Sequence, residues 1–148
     1  MISHPARRLA ELLETVPARL AQFSEEQAAR KPDPARWSKK EILGHLIDSA
    51  ANNHQRFVRA QLAPAIELPG YEQEGWVRSQ QYQAEPWPDL IQMWRVYNRH
   101  LAHVMEAISP ECRTHPCTIG GAPAVTLGFV VDDYVRHLEH HLGQIFDG

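Results

Sequence analysis

Cysteine is scarce in this sequence: among 148 residues only Cys112 and Cys117 carry a thiol. Two thiols so close together do not make a disulfide framework, and a chain of this length can bury a core without one. Nor does any stretch approach the ~20 apolar residues of a membrane span. The N-terminal "MISHPARRLAELLETV" carries Glu11 and Glu14 and lacks the apolar segment and small-residue cleavage site of a secretory leader. A cytoplasmic protein without a membrane partner is the expectation. A basic block is also missing. Fifteen Lys and Arg stand against 18 Asp and Glu, a net charge of -3, which argues against nucleic acid as a partner. There is no internal repeat, no low-complexity tract and no extended run of strand pattern.

What the chain does have is helical periodicity, in four long segments within one domain spanning 1–148. The first runs from about Pro5 to Phe23, with Leu9, Leu12, Leu13, Val16 and Leu20 on one face; Pro17 should kink or split it. The second opens at "WSKKE", where Ser38 as N-cap and Glu41 three residues on form a capping box. Its stripe is Ile42, Leu46, Ala50, Phe57 and Ala60, and it should end near Leu62. A long connection from Ala63 to Pro86 follows, broken by prolines and glycines, with a short helix near Glu72–Gln81. Connections of that length cross a bundle or lie over an active face. The third helix starts at "WPDL" and stops before Pro110. The fourth is capped near Thr126 and buries Leu127, Val130, Val131, Tyr134, Leu138, Leu142 and Ile145. "CTIGG" and "PAVT" suit a small hairpin before it. The fold class is all-α, a four-helix bundle with long crossover connections.

Nine histidines are many for this length, and they are not bunched into a tag. On the fourth helix, relative to Leu127, His141 falls about 40° and His137 about 80° from the apolar centre, while His140 falls about 140° away. The first two therefore flank the core and His140 faces solvent. On the second helix His45 flanks the stripe of Ile42 and Leu46, and a polar file of Ser49, Asn52 and Arg56 continues from it. A buried neutral imidazole needs partners for both nitrogens. Two on adjacent turns of one helix and a third from a facing helix can share a divalent ion, and three protein ligands leave a position open for water or substrate. Imidazole accepts several first-row ions, so zinc, nickel, iron and manganese all suit the set. The same spacing is compatible with a metal-free bundle that uses the histidines as a polar core layer. His54 reads as exposed, and His100 and His103 as a solvated face. "CRTHPC" (Cys112, His115, Cys117) lacks a structural zinc spacing and reads as two reduced thiols of unassigned role. Trp37, Trp76, Trp87 and Trp94 read as packing or loop anchors.

"WSKKEILGHLIDSAANN", followed much later by "HLEHHLGQI", resembles the DinB-like superfamily, with its YfiT-type metal-dependent hydrolases and thiol S-transferases. The likeness rests on a Trp-Ser start before a helix bearing His45, Leu46 and Asp48, and on a last helix bearing His137, His141, Gly143, Gln144 and Ile145. It implies an up-down-down-up bundle, a divalent metal on His45, His137 and His141, a homodimer and, in some members, a low-molecular-weight thiol co-substrate. Such an enzyme would activate a thiolate or a water at the open metal position and act on a small-molecule substrate. Arg56, Asn52 and Gln144 are then candidates for holding a substrate, and Asp48 for orienting an imidazole from behind. The rival expectation is a non-catalytic binding or stress-associated protein of the same fold, with a structural or incidental metal.

Overall fold

The computed structural model describes residues 4–148. The four periodic segments are helices α1 (His4–Ala21), α3 (Lys39–Arg59), α5 (Trp87–Ala107) and α6 (Leu127–Asp147), with short helices α2 (Glu25–Ala29) and α4 (Gln73–Gln80) between them. Pro17 neither ends nor splits α1, which runs through it. Its missing N–H removes one ladder bond, while Leu9, Leu12, Val16 and Leu20 stay buried in an unbroken stripe on both sides.

Side-chain pairs fix the direction of each helix. Nε1 of Trp87, in the first turn of α5, donates to the carbonyl of Leu20 at the end of α1 (2.8 Å), so α1 and α5 are antiparallel. Arg8 pairs with Glu139 and Phe23 stacks on Phe146, so α1 and α6 run the same way. Lys40 reaches the carbonyl of Glu85 at one end of α3, and Cys112 Sγ that of Gln61 at the other, so α3 and α5 are parallel. The order is up-down-down-up. Two consecutive helices that run parallel need a crossover, and residues 60–86 supply it.

That crossover carries a strand β1 (Ile66–Leu68), then α4, then one 3-10 turn at Tyr82–Ala84. β1 pairs in parallel with β2 (Pro116–Ile119), and β2 pairs antiparallel with β3 (Val125–Thr126). The hairpin is where the sequence places it; the parallel third strand is an addition. Gly120 and Gly121 make its turn at φ of 60° and 77°, a conformation that suits glycine. The sheet sits where α3 ends and α6 begins: His115 Nδ1 lies 2.7 Å from the carbonyl of Ala60, and Leu127 donates its N–H to the carbonyl of His115. Leu43, Leu46, Phe57, Trp94, Leu101, Leu127 and Leu138 are buried at the centre. No helix among the described residues is long and apolar enough to cross a membrane.

Candidate metal centre

Two caps aim the functional helices. At the start of α3, Ser38 Oγ accepts from the N–H of Glu41 (3.1 Å) and Glu41 Oε1 accepts from the N–H of Ser38 (3.0 Å). With the helix so fixed and Ile42, Leu43 and Leu46 buried, His45 two turns in is carried to the interior, where it is fully buried. Thr126 caps α6 by accepting from the N–H of Phe129 (3.1 Å). Near the far end of α6, His137 and His141 stand one turn apart, half-buried, on the flank that faces α3.

The three rings converge. Their centroids are 5.2 Å apart for His45 and His137, 4.7 Å for His45 and His141, and 4.5 Å for His137 and His141. One ring nitrogen from each lies within 4.8 Å of the other two. Nε2 of His137 and Nε2 of His141 approach to 3.1 Å. Both nitrogens of His45 are buried and lack a hydrogen-bond partner. An imidazole sealed in the interior with neither nitrogen satisfied is costly in a protein with nothing to bind there. A divalent ion answers that cost, and the all-nitrogen donor set suits one. Among the described residues this is the sole cluster of three or more such side chains placed to hold a metal.

The surroundings keep the rings neutral. Burial, reinforced by His141 and then His137, pulls His45 down to about 4. Burial also lowers His137, with His141 adding to it, and lowers His141 against the opposing bond to Gln144. Neutral rings offer lone pairs without competition from protons near pH 7. Gln144 Oε1 lies 2.8 Å from Nδ1 of His141, which assigns the proton to Nδ1 and turns the lone pair of Nε2 toward the cluster. The Trp37 ring lies 5.0 Å from that of His45 and covers it.

Two hollows lie near the triad, one lined by His137 and the other by Trp37 and Gln144. A cleft of about 320 Å³ runs from His137 along α3 and α6 toward Arg56. Its polar lining includes Ser49, Asn53, Tyr71 and Asp133, and its apolar lining includes Ile119, Val125, Phe129 and Val130. A separate wide groove of about 800 Å³ reaches Trp37 and Gln144 and carries Arg30, Arg36 and Lys39.

The remaining sequence candidates fall as follows. Arg56 lines the cleft, but Asn52 does not; its amide donates back to the carbonyl of Asp48 (2.9 Å), and Asn53 takes the place in the lining. Asp48 does not reach an imidazole. Its Oδ1 accepts from Tyr82 Oη (2.6 Å) and Gln80 Nε2 (2.7 Å), while Oδ2 is buried without a partner and burial raises its carboxyl above the usual range. Gln144 contacts His141 and also lines the wide groove. His54 is half-buried rather than exposed, with Nδ1 2.9 Å from Tyr97 Oη, because α5 packs alongside it. His100, His103 and His140 are exposed, as their wheel positions require. Cys112 and Cys117 are free thiols, and His115 is spent on tying its loop to α3. Sequence reasoning missed Tyr71, which arrives from the crossover, and the contact of Trp37 with His45.

An up-down-down-up helical bundle with three imidazoles gathered between its second and last long helices defines a class of candidate metal-binding bundle proteins. Within that class, the family model of the DinB superfamily matches residues 8–145, and the chain belongs to that superfamily. It is 26% identical over 143 residues to YfiT of Bacillus subtilis, provisionally named a metal-dependent hydrolase, covering 91% of this chain and 79% of that one. The solved structure of the same Bacillus subtilis protein, described as an unusual four-helix bundle, superposes with a TM-score of 0.75 over 99% of this chain and 87% of the other. At 19% identity the structural match speaks for the fold alone.

Proposed function

We propose that this protein is a metal-dependent hydrolase of small molecules whose divalent ion is held by His45, His137 and His141. The observation that carries the reading is the fully buried His45, unpartnered at both nitrogens and facing two imidazoles of α6. The name of the Bacillus subtilis relative supports it. A divalent ion held by three nitrogens supplies Lewis-acid activation of a water at neutral pH and leaves room for a substrate. The chain's own residues do the rest: Gln144 fixes the tautomer of His141, Trp37 shields His45 from solvent, and the cleft beside His137 receives the substrate.

A second reading, transfer of a low-molecular-weight thiol, draws on the wide groove lined by Trp37 and Gln144, which gives a co-substrate separate room. The test is an assay of metal-loaded protein against ester, amide and lactone substrates, each with and without a thiol. Hydrolysis that needs no thiol and disappears in His45→Ala supports the first reading; product formed only with thiol moves the assignment to transfer. A third possibility, a non-catalytic protein with a structural ion, predicts that chelation lowers thermal stability sharply while no substrate turns over.

A further inference from the structure

We infer that the cleft beside His137 is a carboxylate subsite, with Arg56 as the residue that recognises a small monocarboxylic acid or its derivative. As a substrate subsite it rests on the reading of the histidine triad as the metal centre.

Arg56 is half-buried, and among the described residues it forms no ion pair. A guanidinium has five N–H donors. Here one long bond is made, from Nη1 to Asn53 Oδ1 at 3.4 Å. Burial disfavours its charged form, the opposite of what a structural ion pair does for an arginine. Asp133 shares the lining but stands beyond ion-pair distance, so the half-buried cation has no direct counter-charge and the position calls for an anion from outside the chain.

The surrounding groups aim the guanidinium. Asn53 is buried, and its amide nitrogen donates to the carbonyl of Ser49 (2.8 Å), with Ser49 Oγ 3.3 Å away. That leaves Oδ1 pointing along α3 at Arg56. Helical side chains lean toward the N-terminus, so Arg56 lies back along the helix toward the histidine end. Tyr71 comes over it from the crossover, with its ring centroid 6.0 Å from Cζ. Burial keeps the Tyr71 phenol protonated, so it can donate to an oxyanion.

The charge balance selects the anion. Arg56 is the one cation in the lining, and Asp133 on the same lining is an anion. A monoanion is matched by one guanidinium, whose planar fork fits a carboxylate with two parallel bonds. A dianionic phosphate would face Asp133 with only one cation to offset it. Ile119, Val125, Phe129 and Val130 provide walls for an apolar body, and a volume of about 320 Å³ is at the small end of ligand sites.

The test titrates metal-free, full-length protein with acetate, butyrate and benzoate, using amide NMR shifts, with benzamide and inorganic phosphate as controls. The expected result is saturable binding of the carboxylates, tightest for benzoate, with benzamide and phosphate weaker. Arg56→Gln should weaken benzoate about tenfold or more, and Arg56→Lys, which keeps charge but not the fork, by less. Because the titrated protein carries no ion, saturable binding there separates this subsite from any carboxylate held by a metal. Circular dichroism of each variant establishes that it is folded. The inference is overturned by equal affinity for benzoate and benzamide, by tighter binding of phosphate, by unaltered benzoate binding in folded Arg56→Gln, or by no saturable carboxylate binding at all. Carboxylate binding in a protein that takes up no metal would overturn the hydrolase reading and leave the subsite standing.

Discussion

His141 Nε2 faces His137 Nε2 at 3.1 Å while its other nitrogen, Nδ1, is held by Gln144 at 2.8 Å. One hydrogen bond at the rim therefore decides which nitrogen His141 turns inward. Removing that bond in Gln144→Ala should lower metal affinity by about 10–100-fold, the usual cost of losing a partner behind a metal-binding imidazole. Gln144→Glu, which keeps an acceptor, should retain most of it. Competition with a chromophoric zinc chelator measures both. Equal affinity in wild type and Gln144→Ala would show that the bond does not set the ring.

Acid should destabilise the metal-free protein. His45 is held down to about 4 when folded and returns to its ordinary 6.5 when unfolded. Between those values the unfolded chain binds a proton that the folded chain refuses, so stability falls as pH drops from 6.5 toward 4. His45 alone contributes about 3 kcal/mol at most over that interval, and His137 and His141, also lowered, add to it. Urea denaturation of chelator-treated protein across this window reads the slope. In His45→Gln the slope should be shallower.

Arg56 is predicted to be dispensable for folding. It has no ion pair among the described residues and lies in a desolvated position. Arg56→Leu should therefore leave unfolding free energy within about 0.5 kcal/mol of wild type or raise it. A loss of several kcal/mol by denaturant titration would make Arg56 a structural residue.

Gly44 admits the Tyr82 ring. A Cβ at position 44 would come within 2.1 Å of Tyr82 Cδ2. Gly44→Ala should push that ring off α3, break the Tyr82–Asp48 bond and cost about 1–3 kcal/mol. Tyr82→Phe, which keeps the ring and leaves Gln80 on Asp48, should cost less. Calorimetric melting of both variants checks the order.

Much of this was legible in the residues, for identifiable reasons. Apolar spacing of three and four exposes long helices, and the Ser38–Glu41 pair marks the start of α3. The flank positions of His45, His137 and His141 were legible because helix geometry places imidazoles beside an apolar stripe, while their sharing of one ion was implied by the family resemblance. Features made by contacts distant in the chain were not. Asp48 is held by Tyr82, 34 positions on, and Tyr71 comes from the crossover, so neither appears in a wheel of α3. Asn52 and Asn53 are one step apart on that wheel, and only the bonds to Asp48 and Ser49 show which one turns to the cleft. Strands of two to four residues carry too little alternation to read, so the parallel pairing of β1 with β2 was hidden. The five-residue α2 had a readable signal in its Ser24–Gln27 capping box, but its length gives no periodicity.

Whether three imidazoles share one ion is read from anomalous diffraction of zinc-loaded crystals, collected across the zinc edge. One strong peak per chain is expected between α3 and α6, ~2.0–2.1 Å from a ring nitrogen of each of His45, His137 and His141. A peak bound elsewhere, or density at the triad with no edge-dependent signal, would contradict the shared ion.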